Sequence, residues 1–274
     1  MRIDARMRFI LFSLLLACCF GATAAAIPKA IESCMLQNLP QSTSSQSIEL
    51  RARDRSGYEQ VLEADVFWKR FADGQSRALM YFHEPADIRG GRFLVIGKPS
   101  PEGGIAQNEM YIYMTSLFKV RRITSRNISN SIMGTDFSYE DFERLQGILS
   151  DVHAEQYPDA EVSGNPVHVL MSYPDENSGY VKIASYIDKK SCIPLRIELY
   201  EHGNQLRKLM TVDPSAIRNQ DGTWIATELL MQDLQDETQT RLVVQDIRLG
   251  MELDDDLFNP EKLKQVAIPE IKSQ

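Results

Sequence analysis

Asp136, Ser138, Glu140 and Asp141 stand close together in the stretch NSIMGTDFSYEDF (130–142), which also carries a glycine and a tyrosine. Acids and hydroxyls this dense could bind a cation or act as a carboxylate pair in hydrolysis. A calcium loop of the EF-hand type needs oxygen ligands at alternate positions, a glycine at its sixth and an acid at its twelfth. Counted from Asp136, Asp141 takes the glycine's place and Gly147 the acid's, so the calcium reading fails. A secreted hydrolase using Asp136 and Glu140 needs one of them buried enough to shift its pKa, and nothing in the local pattern requires that. A cap explains the polar residues more fully: Ser138 with Asp141 matches S-x-x-D, and acids in a first helical turn favour the helix dipole. Tyr139, Phe142, Leu145 and Leu149 then recur at helical spacing, which predicts a helix over 139–149.

Other chemistry is absent from the pattern. No Ser/His/Asp order, zinc spacing, phosphate loop or dinucleotide fingerprint occurs, so catalytic residues, metal and cofactor are all expected to be none. The formal net charge is −8 and the pI about 5.2. With no dense Lys/Arg block, nucleic acid is not an expected partner. The one basic cluster, KVRRITSR (119–126), offers Arg121, Arg122 and Arg126 either as a solvated strand face or as contacts for headgroups or an acidic partner.

Compartment follows from the N-terminus. Arg2, Arg6 and Arg8 precede an apolar run from Phe9 to Phe20 and small residues up to Ala26, the three regions of a secretory signal. Cleavage is expected after Ala24 or Ala26. Leu15-Leu-Ala-Cys18 also resembles a lipobox, which would instead lipidate Cys18. The expected division is 1–26 as signal peptide and 27–274 as a single domain, monomeric and exported. Cys34 and Cys192 remain after processing, and an oxidising compartment favours their disulfide over a Cys/His nucleophile.

The elements that must position these residues are mostly strands. Tyr58, Leu62, Ala64, Val66 and Trp68 alternate with polar positions, as do Ala78, Met80 and Phe82, and Met110, Ile112 and Met114. Continuing to Leu242–Leu249, the pattern predicts a mainly β chain of about eleven antiparallel strands with few helices. The strands could form two packed sheets or one strongly curved sheet; runs as long as 58–71 and 239–249 favour the latter. A short first helix over Pro28–Leu39 carries Cys34 and ends at Pro40.

Four segments, FHEPADIRGGRFLV (82–95), MYIYMTSLFKVRRI (110–123), SIMGTDFSYEDF (131–142) and DDDLFNPEKL (254–263), resemble the bacterial outer-membrane lipoprotein-sorting family, related to LolA and LolB. The resemblance implies a half-open antiparallel β-barrel with a helical lid over an apolar cavity. It further implies a non-enzymatic periplasmic carrier or acceptor of lipid or lipoprotein acyl chains, often beside an RND-type exporter. Under that reading the lining is expected to comprise Trp68, Phe82, Met110, Ile112, Met114, Met133, Phe137, Leu229 and Met231, with Tyr139 and Phe142 on the lid. An exporter-docking subunit without cargo, meeting its partner through Arg121, Arg122 and Arg126, is the alternative.

Overall fold

The computed structural model describes residues 29–99, 108–147, 153–220 and 222–271. The signal segment 1–26, Cys18, Pro28 and Leu149 lie outside them. Helix α1 (Lys29–Gln37) is followed by β1 (Thr43–Arg53), β2 (Glu59–Arg70), β3 (Ser76–Glu84), β4 (Arg92–Ile96), β5 (Glu109–Met114) and β6 (Lys119–Ile123). Helix α2 (Tyr139–Leu145) comes next, then β7 (His153–Val162), β8 (Asn165–Tyr173), β9 (Lys182–Asp188), β10 (Pro194–Glu201) and β11 (Gln205–Thr211). Last come β12 (Ile217–Gln220), β13 (Thr223–Ala226), β14 (Glu228–Asp233) and β15 (Thr238–Leu249).

Thirteen strands, not eleven, form one antiparallel sheet in the order β6-β5-β4-β3-β2-β1-β15-β14-β11-β10-β9-β8-β7, and β12 with β13 makes a separate hairpin. Periodicity undercounts because a short strand buried on both faces, such as β4, shows no alternation. The sheet is not closed among the described residues: β6 and β7 are its two edges. It curves strongly. Residues from β2 to β5 on one side and from β9 to β11 on the other share a single apolar cluster, which a flat sheet of this width would hold apart.

Register explains how that concave face is built. Leu229, Leu242, Leu50 and Leu62 are successive partners across β14, β15, β1 and β2, while Val66, Met80, Phe93 and Ile112 form the corresponding row across β2 to β5. In-register partners share a face, so each row presents a continuous apolar strip.

The other face departs from the expected wet side. Phe67, Leu79, Leu94 and Tyr113 point outward yet are buried, because the C-terminal segment lays Leu253, Leu257, Phe258 and Leu263 over them. Phe258 meets Phe71 edge-on at 5.7 Å between centroids, and Lys69 Nζ donates to Leu253 O at 2.6 Å. Each fully buried Phe or Leu here is worth about 1.5–3 kcal/mol relative to exposure. Tyr58 corrects the alternation in the opposite direction: it is 69% exposed at the β1–β2 turn, because the strand begins only at Glu59.

Helix α1 packs Ile31, Cys34 and Met35 against Leu170, Ile187 and Cys192. The expected disulfide, Cys34–Cys192, is present, with Cα atoms 5.8 Å apart. Asn38 secures the same corner, donating to Ser191 O at 2.6 Å and accepting from Trp224 N at 3.1 Å.

Candidate functional site

After β6, residues 124–147 fold into a lid seated in the concavity. Met133 and Gly134 take positive φ values of 50° and 82°, turning the chain so that Ser131 and Ser138 pair across an isolated bridge. Ser138 then starts α2 as its N-cap, and the capping box read from the sequence is complete: Asp141 N donates to Ser138 Oγ, and Ser138 N to Asp141 Oδ2. Gly147, at φ 68°, ends the helical turn.

The lid's apolar side is driven into the sheet. Ile132, Phe137, Tyr139 and Phe142 are buried, and Phe93 of β4 lies 4.8 Å from the Tyr139 ring and 5.3 Å from Phe142. All the residues expected as lining meet here. Trp68, Phe82, Met110, Ile112, Phe137, Tyr139, Phe142, Leu229 and Met231 are buried in one cluster, with Met114 and Met133 partly buried against it. The segment's own side chains fill the concave face. Trp68 adds a polar tie, its indole Nε1 donating to Gln146 O at 3.1 Å.

A ring of polar contacts fastens the lid's acids to the surrounding strands and loops. Thr238 and Thr240 of β15 donate to the Asp136 carboxylate, the latter at 2.6 Å. Burial pushes the Asp136 carboxyl above its ordinary range, against the pull of those two hydroxyls. Glu140 accepts from the Ser178 hydroxyl, from Gly179 N at 2.9 Å and from Arg144 at 3.1 Å. Asp141 accepts from Tyr180 Oη at 2.8 Å and from Lys208 Nζ at 2.9 Å. Burial, reinforced by the adjacent Asp141, holds the Tyr180 phenol well above its ordinary value, so it remains a donor. Glu143 accepts from Asn108 Nδ2 at 2.6 Å.

These partners bear on the hydrolase reading. Asp136 is tied to β15 while Glu140 is tied to the β8–β9 loop, and each carboxylate is committed to holding the lid. Among the described residues no group of acids, histidines and cysteines is arranged to hold a metal ion. A polar cleft of roughly 390 Å³ runs beside the lid, with Gln60, Ser131, Asp136, Arg207, Lys208 and Asp233 on its walls.

Arg121 and Arg122 do not share a face. Arg121 pairs with Ile112 and Arg122 with Tyr111, successive positions on β6 that point to opposite sides. All three are exposed, and Arg122 lies 3.5 Å from Glu109.

Sequence reasoning missed Ser178, Gly179, Tyr180 and Lys208. For Lys208 a signal was present: its neighbours two positions away, Leu206 and Met210, are apolar, so a lysine stands where the alternation demands an inward side chain. The 178–180 loop carries no such signal, since its contacts reach back 38 and 39 positions to the lid.

A family model described as an uncharacterized protein matches residues 74–265, which contain all four segments that carry the resemblance. A domain from Vibrio parahaemolyticus described as an outer membrane lipoprotein-sorting protein superposes with a TM-score of 0.76 at 25% identity, over 86% of this chain and 97% of that one. The chain belongs to the family of that model, and it is similar to an outer-membrane lipoprotein-sorting domain. A DUF1329 family protein from Desulfovibrio piger shares the LolA-like fold, with a TM-score of 0.77 and 21% identity over 87% of this chain and 100% of that one. So does a LolA superfamily protein from Nitrosomonas europaea, at 0.65 and 19% over 86% and 98%. No curated protein matches the chain.

Proposed function

We propose that this protein is a periplasmic carrier or acceptor of lipid or lipoprotein acyl chains, non-enzymatic, with the concave face of the sheet as its binding surface. One observation carries the reading: an apolar face shared by the two halves of a curved sheet is covered by a separate lid, which contributes Phe137, Tyr139 and Phe142 to it. An acyl chain exposed to water costs about 0.8 kcal/mol per methylene, so a carrier needs an apolar surface that it can cover and uncover. Met80, Met110, Met210 and Met231 make that surface adaptable to chain shape.

In this reading the lid's aromatic side chains occupy the place of the cargo. Uptake swings the lid outward from the sheet, and the half-open barrel offers Trp68, Phe82, Met110, Ile112, Met114, Leu229 and Met231 as lining. Residues 1–26 act as a signal peptide and 27–274 as one exported LolA-like domain, monomeric in the periplasm. Among the described residues no helix is long and apolar enough to cross a membrane. An RND-type exporter is the proposed source of cargo, and the exposed edge strand β6, with Arg121 on one face, Arg122 on the other and Arg126 beyond its end, is the edge offered to it.

Native mass spectrometry of protein purified from periplasm tests the carrier reading. Bound lipid or acylated peptide is the expected result, together with uptake of a fluorescent fatty acid by the delipidated protein. Protein that is always empty and takes up no acyl chain would overturn it.

A further inference from the structure

Besides Arg144 and Ser138 N within the lid, two consecutive lid acids, Glu140 and Asp141, are received by four donors from outside it. Ser178 Oγ and Gly179 N serve Glu140, while Tyr180 Oη and Lys208 Nζ serve Asp141. The first three donors are consecutive in the β8–β9 loop, and the fourth comes from β11 on the concave side. Resting on the carrier reading above, we propose that these four donors form the receptor for an anionic headgroup, phosphate or carboxylate, of the amphiphile the protein carries, and that Glu140 and Asp141 occupy it in its place when the lid is closed.

The energetics of opening lead there. Lys208 is 9% exposed and borders the apolar cluster through Met210 and Met231. Withdrawing Asp141 removes the carboxylate that Lys208 is bonded to, and the acid opposite it on β14, Asp233, is already bonded to Arg207, so the cation is left under-compensated in a poorly hydrated site. A neutral acyl chain could replace the apolar contacts of Phe137 and Phe142, but it offers nothing to Lys208, Tyr180 or Gly179 N. An anionic amphiphile replaces both halves at once: its chain takes the aromatic positions and its headgroup the carboxylate positions.

The local geometry suits a small anion. A side-chain hydroxyl, a main-chain N–H, a phenol and an ammonium converge, the mixed donor set that gives charge-assisted hydrogen bonds to phosphate or carboxylate. Gly179 keeps the approach open, since a Cβ there would lie 2.9 Å from Ser129 Cβ and 3.6 Å from Glu140 Oε2. Of the four donors Lys208 lines the polar cleft beside the lid, which gives a headgroup a wet approach to that ammonium while its chain lies on the dry face.

Binding of three chain-matched probes to the delipidated full-length mature protein tests this: palmitoyl lysophosphatidic acid, palmitate and neutral monopalmitoylglycerol. At least one anionic probe is expected to bind about tenfold or more tightly than the neutral one, as charge-assisted hydrogen bonds would require. Whichever anionic probe binds tighter identifies phosphate or carboxylate as the preferred group. Lys208→Met should reduce anionic binding to the neutral level, whereas Asp141→Asn, which weakens the competing lid acid, should raise it. If Lys208→Met does not fold, Ser178→Ala gives the same readout in the weaker direction. Equal affinity for all three probes would overturn the headgroup receptor and leave the carrier reading intact. No binding of any probe would overturn both. Equal effects of Lys208→Met on charged and neutral probes would reduce the cluster to a lid fastening and also refute the proposal.

Discussion

Ser138 and Asp141 cap each other reciprocally, with Asp141 N 3.1 Å from Ser138 Oγ and Ser138 N 2.8 Å from Asp141 Oδ2. Because Asp141 also receives Tyr180 and Lys208, the bond that starts the lid helix and the bond that docks it share one carboxylate. Forming the helix and closing the lid are therefore coupled.

Ser138→Ala should cost about 1 kcal/mol, the ordinary loss for an N-cap. Hydrogen exchange checks where the loss falls: amides of 138–146 should lose protection first, with the sheet unchanged. Uniform loss across β1, β2 and β15 would mean that the lid does not open independently.

Phe258→Ala should destabilise the protein by about 3–5 kcal/mol, because the ring is fully buried in the outer core. Denaturant unfolding measures this. Truncation after Leu253 should go further, uncovering Phe67, Leu79 and Leu94, and concentration-dependent association in light scattering is the expected sign.

The disulfide joins residues separated by 158 positions, so it restricts a large loop of the unfolded chain. Replacing Cys34 and Cys192 by serine should lower stability by about 2–5 kcal/mol. Thermal unfolding with and without reductant checks it. The wild-type protein should respond and the variant should not.

Asp136 makes stability depend on pH in a definite direction. Its folded pKa lies above the ordinary 3.8 because of burial, so the folded state holds this proton more tightly than the unfolded chain does. The favourable contribution is complete below the unfolded value and is lost as pH rises through the raised folded one. Asp136→Asn stays neutral throughout, so its stability relative to wild type should rise with pH from about 4 toward neutrality. A difference that is flat, or that falls over this window, would contradict the burial of this carboxyl.

Local chemistry was legible in the sequence wherever it depends on neighbours in the chain. The alternation from Leu62 to Trp68, the capping pair Ser138 and Asp141 and the family resemblance all rest on spacings of two to four residues or on contiguous motifs. Tertiary structure decided what depends on which element approaches which. That Phe67 and Leu79 would be covered depends on a C-terminal segment nearly two hundred positions away, and alternation alone cannot foresee it. The acids of NSIMGTDFSYEDF looked like chemistry because their charge is local. Their role depends on Tyr180, Lys208, Thr238 and Thr240, which the curvature of the sheet brings to them. A sequence encodes a carboxylate and its helix cap, but only the folded sheet supplies the distant donors that turn that carboxylate into a fastening.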